Sequence, residues 1–252
     1  MRIDSLKALL AFGLLLGGCM PMSENAVRKV VSEPEVVAVQ PGQLPAAQAA
    51  DKPAYRPGNP RLDAQSNRIL RDYGTSLRDH ARRYRLDYRL ILAVMKQESG
   101  FYEGAVSEKG AQGLMQIMPE TGLEVAEALQ LEDVTRPHDN IQGGIYYLSR
   151  LYRMFEGVPE DDRIRLSLAA YNAGIGRVYD AQQIAAYLQE NPTEWQSIRD
   201  ALPLLSKRYY TLHKSIFPKE KPSTGWFGDS GQTVTYVENI MAYYDRYKEV
   251  LQ

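Results

Sequence analysis

From Arg61 to the carboxyl end, apolar side chains recur at intervals of three and four, the period of helices that bury one face. Ile69, Leu70, Tyr73, Leu77, Ala81 and Tyr84 form one stripe, and Ile141, Ile145, Leu148, Tyr152 and Phe155 form a second. A third runs through Val237, Ile240, Met241, Tyr244 and Tyr247, with Thr233 placed to cap it. No stretch keeps the two-residue alternation of a half-buried strand. The pattern predicts an all-α globular domain over residues 61–252. Loops are expected at Gly157 to Pro159, at Asn191-Pro192 and, longest, from Pro218 to Gly231.

The chain upstream of Arg61 has a different character. Arg2 and Lys7 accompany the apolar run Ala8 to Leu16, which ends in Gly17-Gly18-Cys19. This arrangement reads as an export signal, and the run is shorter than the roughly 20 apolar residues a membrane-spanning helix needs. Leu16-Gly17-Gly18-Cys19 resembles the lipobox of bacterial lipoproteins, in which the cysteine becomes the first mature residue and is acylated. The resemblance implies a signal peptide over 1–18 and a lipid anchor at Cys19. With Met20 next, rather than an aspartate, it also implies the periplasmic face of an outer membrane. Residues 19–60 are rich in Ala, Pro, Val, Gln and Glu without a sustained period, which predicts a flexible linker. Roughly forty such residues, at about 3.1 Å each when extended, reach on the order of 100 Å.

Composition narrows the chemistry. Thirty basic and 31 acidic side chains leave a net charge of −1, so composition gives no field strong enough to imply nucleic acid or an acidic polymer as partner. One cysteine excludes an internal disulfide, and the three histidines, His80, His138 and His213, have no zinc-ligand spacing. No metal and no cofactor are expected.

One residue breaks the apolar pattern. Asp87 is placed to cap a helix that carries Ile91, Val94 and Met95 on one face, and Glu98 continues that face at the helix's carboxyl end. Apolar surroundings and the negative end of the helix dipole both disfavour an ionised carboxyl, and a glutamate kept protonated near neutral pH suits a general acid. Taken alone, such a glutamate is more often the point where a helix emerges into water. Two later motifs change that weighting. Gly113-Leu114-Met115-Gln116 combines a glycine that permits close backbone approach with an amide suited to sugar hydroxyl and acetamido groups. Met115 and Met118 are either soft apolar walls or core filler. Ala170-Tyr171-Asn172-Ala173-Gly174 then carries a phenol and an amide into a helix-ending turn.

Glu98-Ser99, Gly113 to Gln116 and Ala170 to Gly174, in this order and spacing, resemble the motifs of the lytic murein transglycosylases with an SLT-type, goose-lysozyme-like catalytic domain. Leu202 to Lys207 and Tyr236-Val237-Glu238-Asn239-Ile240 are similar to the carboxyl-terminal signature of membrane-bound lytic transglycosylase F. Where that relative carries a domain similar to periplasmic solute-binding proteins, a short linker stands here. The resemblance implies a lyase that cleaves the bond between N-acetylmuramic acid and N-acetylglucosamine without water, leaving 1,6-anhydro ends, with Glu98 as acid and then base. It implies that Ser107 orients the carboxylate, that Gln116 and Asn172 hold sugar substituents, that Met118 lines the sugar site, and that Tyr171 supports the cationic transition state. Ser99 and Gly113 stand as supporting residues, Ser99 either as a backbone ligand or as part of the site. The implied partners are peptidoglycan strands and, through Cys19, a membrane. Two departures stand out: Glu103-Gly104 where many relatives have Asn-Pro, and Gln232 where many have a glutamate before the final helix. Glu103, Glu108 and Glu120 read as solvated rather than as a second catalytic carboxylate. A lysozyme-like muramidase and a non-catalytic peptidoglycan-binding lipoprotein are the competing readings.

Overall fold

The structure, a computed structural model, describes residues 59–251. The expected signal peptide, Cys19 and the linker up to residue 58 lie outside the described residues. Within them the fold is helical, with nine α-helices, two short 3-10 turns and isolated bridges instead of strands.

The first two helices have the caps their sequences call for. Asp63 accepts from the Ser66 N–H at 2.8 Å and starts α1 (Ala64–Arg83), while Asp87 accepts from the Arg89 N–H at 2.8 Å and starts α2 (Tyr88–Ser99). Gly100, at φ +56°, ends α2. Proline opens both α3 (Pro119–Leu129) and α4 (Pro137–Met154), where its missing N–H costs nothing. Three acidic residues in the first turn of α5 (Glu160–Ala173) complement its dipole. Gly174 then separates α5 from α6 (Ile175–Tyr187), and α7 (Trp195–Ala201), α8 (Tyr210–Ile216) and α9 (Ser230–Val250) follow.

Each predicted stripe is a buried face: Ile69, Leu70, Leu77 and Ala81 of α1, Ile141, Ile145 and Leu148 of α4, and Val237, Ile240, Met241, Tyr244 and Tyr247 of α9. Helix α2 goes further than its stripe predicted. Leu90 to Met95 are all buried, because α2 packs against both α1 and α9. A helix apolar all round belongs in a core, and each such side chain contributes about 1.5–3 kcal/mol on burial. Two hydroxyls fasten α9 to the starts of the other helices. Tyr247 pairs with Ser66 at 2.9 Å, and Tyr244 donates to Asp87 at 3.0 Å.

Two expectations at the carboxyl end are corrected. Thr233 is not a cap: α9 begins at Ser230 with Asp229 before it, and Thr233 lies buried inside the first turns. Gln232 is likewise within α9 rather than ahead of it. The preceding loop is not loose. Buried Asp180 on α6 accepts from the Ser223 N–H and Thr224 N–H, both at 3.0 Å, and from the Thr224 hydroxyl at 2.7 Å. Arg177 lies 4.5 Å over the Phe227 ring, and the Phe227 N–H donates to the Leu205 carbonyl at 3.1 Å. No helix of the described residues is long and apolar enough to cross a membrane.

Candidate active site

Burial of α2 on all sides brings Glu98, in its last turn, against α9. The Tyr236 hydroxyl donates to Glu98 Oε1 at 2.5 Å, across 138 residues of sequence. Burial raises the carboxyl's pKa from an ordinary 4.5 to about 7, and the Tyr236 bond, which favours the carboxylate, holds it from going higher. Among the described residues, no charged side chain contributes to that shift. Glu98 keeps a partial opening to solvent, as a group that must meet a substrate requires.

Two phenols face this carboxyl. Burial, and then the Glu98 charge, push both Tyr171 and Tyr236 well above the usual phenol value, so both stay protonated. The Tyr171 hydroxyl donates to the Met115 carbonyl at 2.8 Å, and its ring rests 5.4 Å from that of Tyr147. Helix α5 extends through Ala173, so Tyr171 and Asn172 occupy its last turn rather than the turn that follows it. Beside Glu98 opens a cleft of about 540 Å³ lined by four carboxamides, Gln97, Asn172, Gln232 and Asn239, with Thr235, Tyr236 and Asp229. The Thr233 hydroxyl donates to Asn172 Oδ1 at 2.8 Å, which orients the amide in that wall.

The segment from 105 to 117 is a tight loop tied to the end of α2 through Ser99 and to α5 through Tyr171. Gly113, at φ +79°, sits where a Cβ would lie 2.5 Å from buried Asn140, so its close approach is to protein. Asn140 in turn accepts from the Met115 N–H at 2.8 Å and donates to the Gln112 and Val134 carbonyls, each at 3.0 Å. Ser99 proves to be a backbone ligand. Its hydroxyl lies 3.1 Å from the Met95 carbonyl and 3.0 Å from that of Leu114, and accepts from the Phe101 N–H at 3.1 Å. It thereby joins the end of α2 to the glycine loop.

Several anticipated residues sit differently from what the motifs implied. The Gln116 amide donates to the Ala105 and Gly113 carbonyls at 3.1 and 2.9 Å, so its donors hold the loop and its side-chain oxygen is what it can offer a ligand. The Ser107 hydroxyl accepts from the Ala111 N–H at 3.0 Å in an exposed turn, and the hydrogen bond that reaches Glu98 is Tyr236's instead. Met118 is exposed but lines a separate hollow of about 230 Å³ with Ile117 and Leu123, which includes neither Glu98 nor its partners. Met115 is fully buried core. Glu103 pairs with Arg68 at 3.3 Å, and Glu108 and Glu120 are exposed. Among the described residues, no three His, Cys, Asp or Glu side chains converge as a metal site.

Tyr236, Gln97, Thr235, Asn239 and Asp229 gain a place that sequence reasoning did not give them. The available signal was Tyr236 itself, a phenol in the buried stripe of α9 one turn before Ile240. A hydroxyl on such a face needs a partner.

Comparison with known proteins converges on one group. Residues 76–193 match the family model described as "Transglycosylase SLT domain". A membrane-bound lytic murein transglycosylase F from Desulfosudis oleivorans is 38% identical over 171 residues, 67% of this chain and 35% of that protein. The protein of the same name from Serratia proteamaculans is 37% identical over 160 residues, 63% of this chain and 30% of its own length. The chain therefore spans about a third of the curated relatives it matches. Among solved structures, the 70-kDa soluble lytic transglycosylase of Escherichia coli superposes with a TM-score of 0.51 at 23% identity, over 74% of this chain and 26% of that one, a likeness of fold.

Proposed function

We propose, from the premise that this chain carries a transglycosylase SLT domain, that it is a lytic transglycosylase of peptidoglycan in which Glu98 performs the proton transfers alone. The observation that carries this reading is a carboxyl with a pKa near 7, bound by a phenol, beside a cleft of carboxamides. A group half protonated near neutral pH can work in both directions.

As an acid, Glu98 gives its proton to the glycosidic oxygen between N-acetylmuramic acid and N-acetylglucosamine. The bond from that oxygen to C1 of the muramic acid breaks, and N-acetylglucosamine leaves with a free 4-hydroxyl. As a carboxylate, Glu98 then removes the proton from the muramic acid's own 6-hydroxyl, whose oxygen closes on C1. The proton is back on Glu98, the product end is 1,6-anhydro, and no water is consumed. Tyr236 steadies the carboxylate between the two steps. The Tyr171 oxygen, made more electron-rich by donating to the Met115 carbonyl, supports the positive charge that develops at C1. Asn172, Gln97, Gln232 and Asn239 offer donors and acceptors to acetamido and hydroxyl groups, while Gln116, Ser107 and Gly113 hold the adjoining loop in shape. Water-dependent glycosidases use a second carboxylate at about 5–9.5 Å, and among the described residues no acidic side chain contributes to the raised pKa of Glu98.

The same proposal includes the amino end. Residues 1–18 export the chain, Cys19 is acylated, and the linker to residue 60 lets the catalytic domain over 61–252 work on the wall from the periplasmic face of an outer membrane. The test is turnover of purified peptidoglycan by the protein and by its Glu98→Gln variant, with folding checked by circular dichroism. Folded, inactive Glu98→Gln is expected; a variant that keeps wild-type turnover removes Glu98 from the chemistry. Active wild type that yields hydrated ends assigns the cleft to hydrolysis, with Asp229 as the second carboxylate to examine.

A further inference from the structure

The carboxyl end of α1 carries a cluster of exposed arginines. Residues 78–85, at the end of α1, read Arg78-Asp79-His80-Ala81-Arg82-Arg83-Tyr84-Arg85, and Arg82, Arg83 and Arg85 are exposed. Packing of α1 on α4 brings a second group of arginines alongside. The Tyr84 ring meets Tyr146 edge to face at 5.7 Å, and Arg150 lies 6.0 Å from the centre of the Tyr146 ring. Arg83 and Arg153 both act electrostatically on the Tyr84 hydroxyl. Arg150 has a loose partner in Glu124 at 3.5 Å. Arg82, Arg83, Arg85 and Arg153 have no acidic partner within salt-bridge distance among the described residues, although Asp79 and Glu156 lie close in sequence.

We infer that this face, built from Arg82, Arg83, Arg85 and Arg153 around the Tyr84–Tyr146 pair, docks on anionic phospholipid headgroups. Guanidinium groups bind phosphate oxygens through two parallel N–H bonds and give up water more readily than ammonium groups do. Half-buried tyrosines beside them have the mixed character that suits the headgroup layer. The chain as a whole is nearly neutral, so the charge is local to this face. A lipid anchor at Cys19 would keep the face near a bilayer, where weak contacts act at high effective concentration.

The placement also leaves the cleft free. Arg78 lies 5.7 Å from the centre of the Tyr88 ring, which fixes the first turn of α2 beside the arginines. Glu98 is near the opposite end of that 12-residue helix, ten residues on and about 15 Å away at 1.5 Å per residue. A domain resting on this face therefore need not cover Glu98, which lies near the other end of α2. The inference stands apart from the catalytic reading, since it needs neither Glu98 nor cleavage.

The test uses the full chain with Cys19→Ser, which removes acylation. Partition onto vesicles of phosphatidylcholine is compared with partition onto the same vesicles containing phosphatidylglycerol. Phosphatidylglycerol is expected to increase binding, high salt to abolish the increase, and Arg82→Glu/Arg83→Glu/Arg153→Glu to reduce it about a hundredfold. Lys207→Glu/Arg208→Glu/Lys219→Glu makes the same change of net charge at exposed positions elsewhere, and is expected to retain most of the binding. An unchanged circular dichroism spectrum and thermal transition of the arginine variant show that it folds. The inference is overturned if phosphatidylglycerol adds nothing, if the two triple variants lose binding equally, or if the arginine variant binds vesicles normally. Loss of binding to purified peptidoglycan, with vesicle binding intact, overturns it in favour of the wall as the partner of this face.

Discussion

Glu98→Gln should stabilise the protein at neutral pH while removing its activity. The Glu98 carboxyl ionises near 7 in the folded state and at its ordinary value of 4.5 when the chain unfolds. Between these values the folded state binds the extra proton, so stability falls as pH rises through this window and is constant above it. A difference of that size corresponds to about 3 kcal/mol of stability lost by pH 8. Glutamine keeps the shape of the protonated acid and can still accept from the Tyr236 hydroxyl, so it keeps the contact without the buried charge. Urea unfolding followed by circular dichroism, across the range from about pH 4.5 to 8, gives both stability curves. They should lie close together at the acid end and separate to about 3 kcal/mol at the alkaline end, with the variant the more stable. For a domain of this size the gap is about 6–12 °C in Tm. A difference independent of pH, or a variant less stable at pH 8, would refute the assignment of a burial-raised carboxyl to Glu98.

Three further perturbations probe the supports of the site. Tyr236→Phe removes a hydrogen bond that favours the carboxylate, which is worth about 1.5–3 kcal/mol to a charged group. The alkaline limb of the pH–rate profile, set by loss of the Glu98 proton, should therefore move to higher pH, and an unmoved limb would mean that the bond does not act on Glu98 in turnover. Gly113→Ala places a Cβ at φ +79° and 2.5 Å from Asn140, and should cost about 2–4 kcal/mol by urea unfolding. A near-neutral result would show that Asn140 can yield. Asp180→Ala leaves three donors of the 218–229 loop without their acceptor, and limited proteolysis should cut that loop faster than in the wild type. Equal rates would mean that Arg177 and the Leu205 carbonyl suffice to hold it.

The helices and their buried faces were legible because their signal is local. Stripes at three and four and Asp87 ahead of α2 act within a turn or two, as do Asp63 and Gly100, whose capping roles only the structure brought out. Glu98 was legible as the one carboxylate that extends an apolar face. What surrounds it was less so. Tyr236 approaches from 138 residues away, and nothing in α9 alone says which acceptor its hydroxyl meets. Thr233 has the chemistry of a cap, yet it is buried in a helix that starts at Ser230, with its hydroxyl donated to Asn172. Gln116 has the chemistry of a sugar ligand, but its φ of +47° and the carbonyls of Ala105 and Gly113 turn its donors inward. The 218–229 loop gave no periodic signal because its order comes from Asp180 and Arg177 on another helix.

The most direct test of Glu98 acting without water is to let the protein digest purified peptidoglycan in H₂¹⁸O and to weigh the released fragments. Intramolecular closure by the 6-hydroxyl predicts ends that are one water lighter than hydrolytic products and carry no ¹⁸O. Fragments of the hydrated mass, labelled with ¹⁸O at the reducing end, would contradict it.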